Sequence, residues 1–162
     1  METDQALQAS LPPSVQQSLA ELVDRDFNLT GYVLTNKIPE ADQNLAVDLL
    51  NLSLSPMPRD TILRELTMLK VKTKMRNVEQ NELTLMLTAY ADELEAFPED
   101  IVRYILRSYA STSIWFPAWA DLAKELQWRT DKRQFKLNAL IKGPNQAAGR
   151  IASVIENALR KE

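Results

Sequence analysis

Prolines stand at the heads of amphipathic runs along most of this chain. Pro12 and Pro13 precede an apolar set at Val15, Leu19, Leu22 and Val23, and Pro39 precedes Leu45, Leu49 and Leu52. Pro58 precedes Ile62, Leu63, Leu66 and Leu69; Pro98 precedes Ile101, Val102, Ile105, Leu106 and Tyr109; Pro117 precedes Leu122, Leu126 and Leu137. Within each set the spacings place the apolar residues on one face of a helix. Proline suits a helix start, because the N–H it lacks has no intrahelical partner there. A further run follows Asn77, a candidate break and cap, and carries Leu83, Met86, Leu87, Tyr90, Leu94 and Phe97 on one side. Only three glycines occur in 162 residues, too few for the tight turns of an all-β fold. The expected fold is all-α: a single-domain helical bundle of six to seven helices. Residues 1–11 are expected to be a mobile N-terminus. Residues 12–162 are expected to form the domain, with N-terminal helices in 12–57, a core over 58–142 and a C-terminal helix over 150–160. The helix after Pro13 is expected to run on to the stretch around Gly31.

Phe-Pro occurs twice, at Phe97-Pro98 and Phe116-Pro117, each time before an amphipathic run. Glu99 and Asp100 follow the first, where acids suit the positive end of the helix dipole. A phenylalanine just ahead of the helix can fold back onto its first turn. The pair therefore reads as a corner between two helices with an aromatic plug in the angle. Ile114, Trp115 and Trp119 crowd the second corner. Packing at that corner and a partner-binding patch are both open readings of these residues.

The chemistry of catalysis is thin. The chain has neither cysteine nor histidine, which removes thiolate chemistry, the commonest general base and the commonest zinc ligand. It has no glycine-rich phosphate loop, no Ser-His-Asp set and no HExxH. Its paired carboxylates fall at helix ends or outer faces. No enzyme activity, cofactor or metal is expected. No apolar run reaches the roughly 18–20 residues that span a bilayer, and the start "METDQALQAS" does not read as a secretory signal, so a cytoplasmic protein is expected.

Charge alternates in blocks beneath a net of −3. Residues 1–57 carry net −6, 58–77 net +4, 78–100 net −7, 101–127 net +1 and 128–162 net +5. Such blocks suit helix faces that attract one another, and also a binding stripe. In the run after Pro117, Trp119, Leu122, Leu126, Arg133 and Leu137 fall near one face, while Trp128 and Phe135 fall on the other among basic residues. One reading packs the C-terminal helix on Trp128 and Phe135. The other leaves a basic-aromatic stripe for a protein or a nucleic-acid backbone.

With the segments "MPRDTILRELTMLKVKTKMRN", "AYADELEAFPEDIVRYILRSY" and "IWFPAWADLAKEL", the chain over about residues 58–140 resembles short all-helical phage and prophage proteins of replication regions. Their layout is similar to that of phage helicase-loader and helicase-inhibitor proteins. The resemblance implies a non-enzymatic replication accessory whose partner is a replicative helicase or a replication-origin protein. On this reading the partner-binding residues are Trp115, Phe116, Trp119, Trp128, Arg129, Lys132 and Arg133. The alternative is a nucleic-acid-binding protein that uses Lys124, Arg129, Lys132, Lys136 and Lys142 along a basic helix at 124–142. A third reading is a virion structural or assembly protein.

Overall fold

A computed structural model describes residues 3–144; the helix expected over 150–160 lies outside the described residues. Seven helices and one two-stranded sheet make up the described part, so the chain is predominantly helical. Two compact units form. Among the described residues, one takes Thr3–Leu52 and those from Lys132 to Pro144, and the other is Ser53–Asp131. The first boundary lies between Leu52 and Ser53. The second lies inside a continuous helix and has no counterpart in the sequence pattern.

The unit from Ser53 to Asp131 holds α4 (Arg59–Lys72), α5 (Gln80–Leu94), α6 (Glu99–Thr112) and the first half of α7 (Trp119–Lys142). Its core is Ile62, Leu66 and Leu69 of α4, Leu94 of α5, Ile101, Val102, Ile105 and Leu106 of α6, and Leu122 and Leu126 of α7. These are the faces that the 3.6-residue spacing selects. Pro58 and Pro98 stand one residue outside the helices they introduce, and Pro117 two residues outside α7. Pro58 and Pro98 share an extended conformation, both with φ −59° and ψ 139°, and both carbonyls accept from the first helical turn. Proline thus serves as the N-cap, with its fixed φ setting the direction of entry. The break expected at Asn77 lies two residues early, since Glu79 caps α5.

Both Phe-Pro corners are stitched to a second extended segment. At the first, Pro98 bridges Pro56, and the Glu99 amide donates to the Ser55 carbonyl at 2.9 Å. At the second, Trp115 bridges Lys74. Phe97 and Phe116 are half-buried and pack on the core cluster from outside, so they are lids on the corners more than plugs within them.

The other unit contains α1 (Thr3–Ser10), α2 (Pro13–Ser18), β1 (Leu19–Val23), β2 (Leu29–Leu34), α3 (Glu40–Ser53) and the second half of α7. Two expectations are corrected here. Residues 3–10 are helical, and α1 is tied to α7 by Asp4 with Arg133 and by Gln8 with Lys136. The helix after Pro13 stops at Ser18, and Leu19–Val23 pairs antiparallel with Leu29–Leu34. The helical spacing of Val15, Leu19, Leu22 and Val23 misled because Leu22 and Val23 do not face a core; they are exposed on the hairpin.

The hairpin turn is unusual at one residue. The Phe27 amide donates to the Asp24 carbonyl, and the Asp24 amide to the Asn28 carbonyl at 2.9 Å. The Asp24 carboxylate accepts from the amides of Asp26 and Asn28. Phe27 has φ +62°, the left-handed conformation that glycine or asparagine normally supplies at such a place. Phe27→Gly should therefore stabilise the protein, by about 1 kcal/mol in urea unfolding, because it relieves a strain unsuited to a bulky side chain. A loss of stability in that variant would mean that Phe27 makes contacts that outweigh the strain.

Candidate functional site

A groove of about 640 Å³ opens beside the second Phe-Pro corner. Its apolar lining includes Met75, Val78, Met86, Tyr90, Trp115 and Phe116. Lys74 and Arg76, both exposed, are its charged lining residues, and among the described residues no carboxylate lines it. One wall is the extended connection after α4, the other the loop between α6 and α7. The floor comes from α5, where Met86 and Tyr90 lie four residues apart on one helix face.

Tyr90 organises the corner. Its ring lies 5.8 Å from Phe116, tilted by 42°, and 5.4 Å from Trp119, edge to face. Such offset geometries favour the ring quadrupoles. The Tyr90 hydroxyl donates to the Pro117 carbonyl at 3.2 Å. Burial pushes the Tyr90 phenol above its ordinary pKa, so it remains a donor at neutral pH.

Trp115 is held by its backbone. The Lys74 amide donates to the Ile114 carbonyl at 2.7 Å, and the Phe116 amide to the Lys74 carbonyl at 2.9 Å. Ser113 Oγ donates to the Trp115 carbonyl at 2.7 Å and accepts from the Trp115 amide at 3.2 Å. With the chain fixed on both sides, the indole is still 58% exposed, and Ile114 beside it 67%. A large apolar side chain on an ordered loop pays little entropy when it is covered.

The site residues expected from the sequence divide into separate places. Trp115, Phe116 and Trp119 gather at the corner, Trp119 through its contact with Tyr90. Trp128 is about half exposed, and it flanks Arg129, whose guanidinium lies 5.5 Å from the Trp128 ring and 4.7 Å from the Tyr104 ring. Arg129 is buried and pairs with Glu125 across 3.9 Å. Arg133 is 1% exposed and pairs with Asp4 at 3.1 Å. Both arginines are internal braces and are not available to rim a surface patch. Of the candidate nucleic-acid cations, Lys124 and Lys142 are exposed and Lys132 is partly buried. Lys136 bonds Gln8 at 2.6 Å and stacks 5.3 Å from the Tyr32 ring, and burial holds its ammonium below the usual lysine range. Lys124 and Arg129 belong to one unit, and Lys132, Lys136 and Lys142 to the other.

Comparison with protein-family models, with curated proteins and with solved structures found no match. Among the described residues no group of acidic side chains could hold a metal ion, and no helix is long and apolar enough to cross a membrane.

Sequence reasoning missed the roles of Tyr90, Met75, Val78 and Met86 in the groove. Helical spacing puts Tyr90 and Met86 on the inner face of their helix, a position that does not distinguish a core residue from a groove floor. The 74–78 connection carried no signal, since its extended form comes from pairing with Trp115. The hairpin did leave a trace, in the β-favouring composition of "LTGYVL" after the turn-forming "DRDFN".

Proposed function

We propose that this protein is a non-enzymatic protein-binding accessory that takes an apolar segment of its partner into the groove beside Trp115. The observation that carries this reading is the fixed backbone around a half-exposed tryptophan and isoleucine, over a groove already formed. Buried aromatic anchors dominate protein interfaces, and ordered ones bind best. Lys74 and Arg76 favour a partner segment with net negative charge. The resemblance to phage replication-region proteins makes a replicative helicase the first partner to test.

The test is a titration of helicase with the wild-type protein and with Trp115→Ala. The variant should bind at least about tenfold more weakly. Its thermal stability should change little, since surface substitutions usually lie within about 0.5 kcal/mol. Equal affinity of the two proteins would remove the groove from the reading. A parallel titration with single- and double-stranded DNA examines the alternative. Weak binding at physiological salt is expected, since the wild-type chain is acidic overall, with a pI near 5.2. Tight DNA binding that is lost on Lys124→Glu would favour the nucleic-acid reading instead.

A further inference from the structure

Phe27 breaks two local rules together. It holds a left-handed backbone that a bulky side chain adopts only at a cost, and its side chain is 87% exposed. Leu22 and Val23, on the strand that leads to it, are about half exposed as well. The turn itself is ordered, with the Asp24 carboxylate accepting from two backbone amides and from the Asn28 side chain. An aromatic knob is therefore displayed on a rigid loop, with no intramolecular burial to offset the strain. Departures of this kind concentrate at functional positions.

We propose that the Phe27 hairpin of one copy docks into the Trp115 groove of a second copy of this chain. The proposal rests on the reading of that groove as a docking site, and it names one occupant. Size and charge both select it. A groove of about 640 Å³ accommodates an aromatic side chain with part of its flanking backbone. The hairpin tip carries Asp24 and Asp26 around Arg25, a net negative charge, and its counterpart carries Lys74 and Arg76. Hydrogen bonds from Asn28 hold the Asp24 carboxyl below its usual range, so the acidic flank is charged at neutral pH. The contact is heterologous, because a knob meets a groove and not its own image. A single knob covers less surface than a standard interface, so the association is weak and concentration-dependent. A partner segment and a second copy would compete for the groove.

Sedimentation velocity on the full chain, from micromolar to millimolar concentration, tests the proposal. The wild type should self-associate, less so in molar salt, where charges are screened beyond about 3 Å. Phe27→Ala and Trp115→Ala should each weaken association at least about tenfold. Mixed in equal amounts, the two variants should form a 1:1 complex, because each keeps one intact half. Circular dichroism confirms that both are folded, and Arg76→Glu with Asp26→Lys offers a second pair, weakened singly and restored when combined. A wild type that stays monomeric at millimolar concentration overturns the proposal, as does association that survives Phe27→Ala. The helicase titration is independent of both outcomes. If Phe27 proves irrelevant while Trp115→Ala still weakens helicase binding, self-docking fails and the groove reading stands.

Discussion

Tyr90→Ala should lower the unfolding free energy by about 3 kcal/mol, at the low end of the range for removing a core aromatic. The ring is partly buried, so the full range is not expected. The loss exceeds what exposure alone suggests because two neighbours lose their packing. Phe116 and Trp119 both lean on Tyr90, and its hydroxyl ties the carbonyl of Pro117, at the entrance to α7. Tyr90→Phe separates these contributions. It keeps the ring contacts, removes one hydrogen bond, and should cost about 1 kcal/mol. Urea unfolding measures both. If Tyr90→Ala cost less than Tyr90→Phe is expected to cost, the corner would be held by its backbone bridge to Lys74 and not by the aromatic cluster. The groove should loosen with the corner, so Tyr90→Ala is also expected to weaken partner binding more than Tyr90→Phe does.

Arg133→Ala should be the most damaging change in α7, at about 3–5 kcal/mol, the usual result of removing one member of a buried ion pair. Arg133 is among the largest fully buried side chains, and its guanidinium bonds the Asp4 carboxylate through both Nε and a terminal nitrogen, each at 3.1 Å. The alanine would leave a cavity and would release α1 from α7. Arg133→Met should cost less, because an apolar side chain of similar length fills the space of the stem. Hydrogen exchange in residues 3–10 reports the release directly and is expected to rise for Arg133→Ala. A loss below about 1 kcal/mol would return Arg133 to the surface role that its charge first suggested.

Arg133 shows how far the sequence could be read. Its spacing from Leu126 and Leu137 placed it on the apolar face of the helix, and it lies there. Its residue type nevertheless argued for a binding role, since arginine is mostly exposed and favours interfaces. What reconciled the two was Asp4, 129 residues away in the chain, within a segment expected to be mobile. An ion pair between distant elements leaves no periodic trace. Arg129 repeats the case: its brace is Tyr104, on a different helix.

Local physics settled the helices of residues 59–142 in advance. Their apolar spacing, their proline entries and the scarcity of glycine all act within one or two turns, and each survived into the fold. The Phe-Pro corners were legible for the same reason. Tertiary structure decided the rest. Leu19–Val23 has a helical spacing, but it becomes a strand because Leu29–Leu34, rich in β-favouring residues, offers it a ladder of hydrogen bonds. Lys74 becomes a groove wall because Trp115 and its neighbours bond its backbone from 40 residues away. Burial took Arg129 and Arg133 of α7 inward, while Lys124 and Lys142 stayed exposed. Sequence period reports which face of a helix is apolar. Which neighbour covers that face, and which aromatic is left uncovered, depends on contacts between segments far apart in the chain.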